Sequence, residues 1–373
     1  MPPRHPVPNP PGRAARRSPT DRAPQAAAPP CPKGLRMPPR TLRTAPLVSG
    51  AAAASALALL AACGGAGGGP AKAAKDAAGR TVIRVSYPTN VSNVPLHIAR
   101  ERGYFKREGL TVKPEADLGS GSTVEAVVGG QTDMAWANTV GQLTAYSKGI
   151  DIKLVAITDL ARRGSLQVLV GKDSPARKLA DLKGRKVAVL APTTICVLAI
   201  RSALKARGLP ADAITFTPVS PPEHANVLSS GEVAATCTSD PFRTQMVRKL
   251  GARSVFDTES GPLKGSPVGG YLVASGFAEA HPKEIAGFRR AMERAARYAN
   301  DHPDEVRALL PGFTGTDAEV AAEVVINRYL ERQDPATVRP LVARVASAMR
   351  AYGLADEAID ASGYYARGEA ARP

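Results

Sequence analysis

Between residues 81 and 257 the chain alternates β-branched runs with helix-period segments, and it completes that rhythm twice. Residues 81–87 alternate and are rich in Val, Ile and Thr, which predicts a strand. Asn93, two residues before Pro95, predicts an N-cap and a helix that Gly103 stops. Residues 110–113 predict a second strand, and Ser122 with Glu125 forms a capping box opening a helix that ends at Gly129 and Gly130. Residues 133–138, 139–148 and 152–158 then read as strand, helix and strand. The pattern restarts with a strand at 186–190, a helix at 193–207, a strand at 214–219, a helix at 223–229 and a strand at 234–238. Asp240 caps a helix at 241–250, and a strand follows at 254–257. Alternation of this kind predicts parallel-rich sheets flanked by helices, and two such runs predict two lobes. The 373 residues suffice for two real cores.

Beyond residue 277 the pattern is helical, at 282–300, 303–310, 317–329 and 335–352. A helical tail must pack on an existing lobe, and the expected position is over the sheet of the first. The expected organisation is a leader with lipoprotein signal peptide at 1–62 and a flexible tether at 63–79. Lobe 1 spans 80–170, lobe 2 spans 171–265, and 266–373 return to lobe 1. Gly and Pro near 170–174 and 261–271 mark the expected crossings.

The net charge of +16 invites a nucleic-acid reading, yet residues 1–62 hold nine Lys or Arg against one acid, Asp21, which is half of that excess. The remainder is spread through helices without a basic run interleaved with aromatics, so no nucleic-acid partner is expected. Residues 1–36 are rich in Pro, Arg and Ala and lack apolar periodicity. Met37, Arg40 and Arg43 precede an uncharged run from Thr44 to Ala62, the layout of a signal peptide with Met37 as its expected start. The run is too short and too rich in Ala and Gly for a membrane-spanning helix. It ends Leu60-Ala61-Ala62-Cys63-Gly64, which resembles the bacterial lipobox, where the Cys63 thiol is acylated. Glycines 64–69 then read as the tether. The expected location is the outer face of the cytoplasmic membrane, held there by lipid.

Cys196 and Cys237, with 40 residues between them, lack the ligand count and close spacing of a zinc site. They are either a disulfide pair or two small buried thiols.

Several segments occur in an order that points to a family. Residues Pro95 to Phe105 followed by Glu108 to Val112 are succeeded by Gly119 to Thr123, Gly130 to Asp133, Leu179 to Ala188 and Leu228 to Ala235. The last of these precedes Ser239-Asp240-Pro241-Phe242. Together they resemble the nitrate/sulfonate/taurine and thiamine-precursor binding proteins of ABC importers over residues 81–300. The resemblance implies a type II periplasmic-binding-protein fold, α/β in class, with two lobes each built on a parallel-rich sheet flanked by helices and a helical C-terminal segment on lobe 1. It also implies a small-molecule ligand, the membrane subunits of an importer as partners, a monomer, and neither cofactor nor metal. His97 stands where the family often carries Tyr, Ala234 and Ala235 where an acid is common, and Cys196 where small or polar residues are common.

In α/β lobes ligands gather at the carboxyl ends of strands. The candidate ligand-binding residues are therefore Tyr87, Thr89, Asn90 and Asn93; Gly121, Ser122 and Thr123; Asn138 and Thr139; Thr193, Thr194 and Asp240; and Tyr271. Trp136 reads equally as an aromatic wall or as core, and Asp240 primarily as a helix cap. The glycines and hydroxyls at 119–123 suit an anion held by backbone N–H groups, and none of these loops contains Lys or Arg. The expected ligand is a small anion of the sulfonate, taurine or nitrate type. The alternative is a thiamine-precursor pyrimidine stacked on Tyr87 or Trp136 and read by Asn90, Asn93 and Asp240. A sensor subunit would share this site. The fold also hosts catalysts, but His97, His224, His281 and His302 form no metal-binding pair, and neither a nucleophile elbow nor a Cys-rich iron cluster is present. No enzyme is expected.

Overall fold

The computed structural model describes residues 73–117 and 123–368. The expectations for the leader, Cys63 and most of the tether, and for Gly121 and Ser122, lie outside the described residues. The first lobe is built from β1 (Thr81–Pro88), α1 (Val94–Glu101), α2 (Tyr104–Arg107), β2 (Leu110–Asp117), α3 (Thr123–Val128), β3 (Met134–Asn138), α4 (Thr139–Ser147) and β4 (Ile152–Leu160). The second contains β5 (Leu166–Val170), β6 (Lys186–Val189), α5 (Ile195–Lys205), β7 (Thr215–Pro218), α6 (His224–Ser229), β8 (Ala235–Ser239), α7 (Phe242–Leu250) and β9 (Arg253–Asp257). The chain then runs through β10 (Pro267–Ala274), α8 (Ser275–Ala280), α9 (Pro282–Asp301), α10 (Pro303–Thr314), α11 (Ala318–Glu323), β11 (Arg328–Tyr329) and α12 (Pro335–Ala351).

The six-stranded sheet has the order β11-β4-β10-β3-β1-β2, and the five-stranded sheet β7-β6-β8-β5-β9. Alternation in β1 buries Ile83 and Val85. Arg84 points the other way and meets the Asp133 carboxylate at 2.7 Å. β1 runs parallel to β2 and β3, and β6 parallel to β7 and β8. β10 is antiparallel to β3 and β4, and β5 to β8 and β9, so both sheets are mixed.

β5 pairs within the second sheet, which places the first crossing at residues 161–165 rather than at 170–174. The apolar run Leu166-Gln167-Val168-Leu169-Val170 is a strand enclosed by neighbours on both edges. The second crossing lies between β9 and β10, at residues 258–266. Gly269 and Gly270 are interior strand residues, not a bend. A Cβ at Gly269 would stand 2.2 Å from the Trp136 ring, and one at Gly270 2.3 Å from the Ala156 carbonyl oxygen.

The expected helix at 317–329 stops at Glu323. Val324 turns extended, the Val325 N–H donates to Asp240 at 2.8 Å, and Arg328 and Tyr329 pair with β4. These tertiary bonds outcompete another turn of helix. The tail also does more than return to lobe 1. α9 lays Ile285, Phe288, Met292, Ala295 and Ala299 into the first lobe's core at helical spacing. α12, however, buries Val338, Val342, Val345 and Met349 in a core shared with α4 and with Ile200 and Leu204 of α5. α11 reaches α7, where Arg248 meets Glu319 at 2.7 Å and Glu323 at 2.5 Å. Among the described residues, no helix is long and apolar enough to cross a membrane.

Candidate ligand-binding cleft

Residues at the carboxyl ends of β1, β3, β6, β7 and β8 converge on one cavity of about 200 Å³. That is below the ~300–1,000 Å³ of pockets for drug-sized ligands, so the occupant is small. None of the described residues lining it carries a charged side chain. Pro88, Trp136, Leu166, Leu190, Phe242 and Val268 make much of the wall apolar, and hydroxyl and amide groups interrupt it.

Four of the expected residues line this cavity: Thr89, Asn90, Asn138 and Thr194. Three of them do so because they begin helical turns. Asn90 Oδ1 accepts from the Ser92 N–H at 3.1 Å, Asn138 Oδ1 from the Gly141 N–H at 2.8 Å, and Thr194 Oγ1 from the Val197 N–H at 3.5 Å. The amino termini of α4 and α5 thus come to the cavity together with their caps.

Beneath the wall lies a buried carboxylate. Asp159, at the end of β4, accepts hydrogen bonds from the Ser92 hydroxyl at 2.8 Å, the Thr158 hydroxyl at 2.7 Å and the Asn327 amide. The Trp136 indole N–H donates to Thr158 Oγ1 at 2.9 Å. Ser92, Trp136 and Asn327 all line the cavity, so the acid orients Ser92 and Asn327 directly and Trp136 through Thr158. Burial pushes its pKa up to about 6, and the three donors only partly offset that cost.

Other expected residues lie elsewhere, each for a packing reason. Tyr271 is fully buried and its hydroxyl donates to Asn93 Oδ1 at 2.6 Å. The Asn93 amide in turn donates to the Pro88 carbonyl at 3.0 Å and to Asn90 Oδ1 at 3.1 Å, so this pair props the first loop from behind. Tyr87 packs edge-on against His97 within the lobe 1 core. His97 itself stacks on Phe313 with centroids 4.1 Å apart and does not line the cavity; burial, with Arg100 adding to it, pulls its pKa down to about 4. Thr139 is buried at the start of α4, while Thr123 and Thr193 are half-buried; none of the three is a lining residue. Asp240 is wholly buried and spends its oxygens on Arg243, Thr244 and the Val325 N–H, which rules out its reading of a ligand ring.

The sequence reading missed Ser165, Ser220, His224 and Asn327, all of which line the cavity. The carboxyl end of β7 pointed to His224, because ligand loops follow such strand ends. Asn327 was hidden inside an expected helix. Cys196 and Cys237 also line the cavity, and they are joined as a disulfide with Cα atoms 6.4 Å apart. The bond ties the first turn of α5 to β8. Among the described residues no group of His, Cys, Asp and Glu could hold a metal ion.

A larger hollow of about 840 Å³ lies by the crossings, lined by Arg162, Arg163, Asp257, Glu259, Lys264 and Arg328 among others. It mixes both signs of charge, unlike the cleft, whose described lining carries none. Size alone therefore does not make it the ligand site.

The NMT1-like family model matches residues 76–310 of this chain. The chain belongs to the NMT1-like family. A Bacillus subtilis (strain 168) protein named as an aliphatic sulfonates-binding protein is 28% identical over 249 residues, which cover 66% of this chain and 73% of that one. The riboflavin-binding protein RibY of Chloroflexus aurantiacus is 22% identical over 244 residues, covering 63% of this chain and 67% of that one. Among crystal structures, the periplasmic aliphatic sulphonate binding protein SsuA from Escherichia coli superposes with a TM-score of 0.64 at 21% identity, over 76% of this chain and 97% of that one. At that identity the likeness concerns the fold: two α/β lobes of the periplasmic-binding-protein type.

Proposed function

We propose that this chain is the exported substrate-binding component of an ABC importer and that its cleft takes a small organic sulfonate. The observation that carries the reading is the uncharged cavity into which strand ends and helix amino termini from both lobes converge. An anion held by N–H groups and hydroxyls avoids the desolvation of a buried cation. The sulfonate-binding relative supports that ligand class. Gly121 and Ser122 are the proposed seat of the anionic head, and Thr89, Asn90, Asn138 and Thr194 the proposed polar wall. Binding rather than turnover is favoured because the two cleft cysteines are bonded to each other, leaving neither as a free nucleophile. The fold alone does not decide between the two.

A thermal-unfolding screen of the purified protein against alkanesulfonates, nitrate, pyrimidines and flavins tests this. A ligand at a hundred times its Kd adds about 2.7 kcal/mol of stability, which is read as a rise in Tm. An alkanesulfonate is expected to give that rise, and Ser122→Asp to abolish it by placing like charge at the seat. A rise with pyrimidines or flavins and none with any sulfonate would exclude the sulfonate reading.

Cys63 is the proposed lipid attachment point, supported by the small residues around it after the uncharged run Thr44 to Ala62. Cys63→Ala is expected to move the protein from the membrane fraction to the soluble fraction. Retention as tight as that of the unmodified sequence would refute acylation at this residue.

A further inference from the structure

Two acceptor atoms at the cleft lack hydrogen-bond partners, and each is held in its role by a bond on the other side of the same group. His224 is the first residue of α6 and is 1% exposed. Its Nε2 lies 3.1 Å from the Val219 carbonyl oxygen. A carbonyl only accepts, so the ring proton sits on Nε2 and Nδ1 is left as a bare lone pair. Nδ1 is buried and unpaired. Burial also pulls the ring pKa down to about 4, which keeps the imidazole neutral at pH 7.

Asn327 lies between α11 and β11, on the stretch that joins the first lobe's sheet. Its Nδ2 donates to the Asp159 carboxylate. The opposite orientation would set an amide oxygen against a carboxylate oxygen, so Oδ1 is the atom left over, buried and unpaired. Both side chains line the same cavity, one from each lobe. Neighbouring polar groups there are already engaged: the Trp136 indole and the Ser92 hydroxyl donate inward, and Asn90, Asn138 and Thr194 cap helical turns.

We infer that His224 and Asn327 are specificity-determining residues which accept hydrogen bonds from the ligand, so that the cleft selects a small organic sulfonate bearing a hydroxyl or amino group over the same skeleton without one. This rests on the sulfonate reading for the anionic end and extends it to the other end of the molecule. A ligand lacking the donor leaves both acceptors buried without partners, and sites built around such atoms reject it strongly. A ligand that carries it engages a residue of each lobe at once.

Calorimetry on the purified protein with a matched pair, 2-hydroxyethanesulfonate and ethanesulfonate, tests the inference without any mutation. The hydroxyl compound is expected to bind at least about tenfold more tightly, in line with the penalty for unpaired buried acceptors. Asn327→Leu and His224→Phe, each checked for folding by thermal unfolding, are expected to bring the ratio of the two affinities close to one, whatever the change in either affinity alone. Equal affinities for the two sulfonates overturn the inference and leave the sulfonate reading standing. If neither sulfonate binds, that reading fails, and a second pair, 4-aminopyrimidine and pyrimidine, decides the inference. Preference for the amino compound upholds acceptor-based selection for a different ligand class; equal binding, or none, overturns it.

Discussion

Asp240→Ala is expected to destabilise the protein by about 3–5 kcal/mol, the range for removing one partner of a buried ion pair. The Asp240 side chain is inaccessible to solvent, and the Arg243 guanidinium meets it at 2.9 Å while retaining 13% exposure. The Thr244 N–H and hydroxyl reach Oδ1 at 3.0 and 2.7 Å, and the Val325 N–H reaches Oδ2 at 2.8 Å. Deleting the carboxylate strands a guanidinium and two backbone donors, and it unties the segment after α11 from α7. Denaturant unfolding of the variant, compared at equal m, measures the loss. A change under about 1 kcal/mol would mean that water replaces these bonds, contrary to the burial of the site.

Removing the disulfide has a comparable expected effect. Its cysteines are separated by 41 positions, and closing a ring of that size contributes about 4 kcal/mol in the chain-entropy description, within a usual span of about 2–5. The double variant Cys196→Ser, Cys237→Ser should therefore unfold at clearly lower denaturant concentration than the oxidised protein. Reducing agent should lower the midpoint of the unmodified protein and leave the double variant unchanged. Identical midpoints for oxidised and reduced protein would show that the bond carries no stability. The same substitution places two hydroxyls at the cleft wall, so ligand binding provides a second, independent readout of its position.

The local rules located most βα units, because each carries its own start and stop. Asn93 ahead of Pro95 and Gly103 mark helix ends from sequence alone, and Gly103 takes the expected left-handed φ of 68°. What those rules could not see were strands and breaks decided by distant neighbours. The two glycines of β10 read as a flexible boundary, yet they are there because Trp136 and the Ala156 carbonyl leave no room for a side chain. Helical pattern continued through residues 324–327, but Asp240 and Asp159 draw that backbone and Asn327 away from it. The cleft was legible where it is built from helix caps, as at Asn90, Asn138 and Thr194. It was misread where an aromatic or amide in the right loop turned inward, as Tyr87, Asn93 and Tyr271 do. Reading a residue as facing the ligand requires knowing which side of the strand is already filled.

The position of β10 has a consequence for how the protein comes into being. This strand lies between β4 and β3 in the middle of the first sheet, although it follows the whole second lobe in the chain. Until residue 274 has been made, the first lobe has a three-stranded piece, β2-β1-β3, and a lone strand, β4, whose facing edges have nothing to pair with. Its completion requires contacts across more than a hundred intervening residues, which makes closure slow relative to local helix formation. The second lobe is under no such constraint, since all five of its strands are contiguous in the chain. The five-stranded sheet can therefore be completed before the six-stranded one, although most of the six-stranded sheet precedes it in the chain. The strand order that shapes the cleft thus also sets the order in which its two walls can be finished.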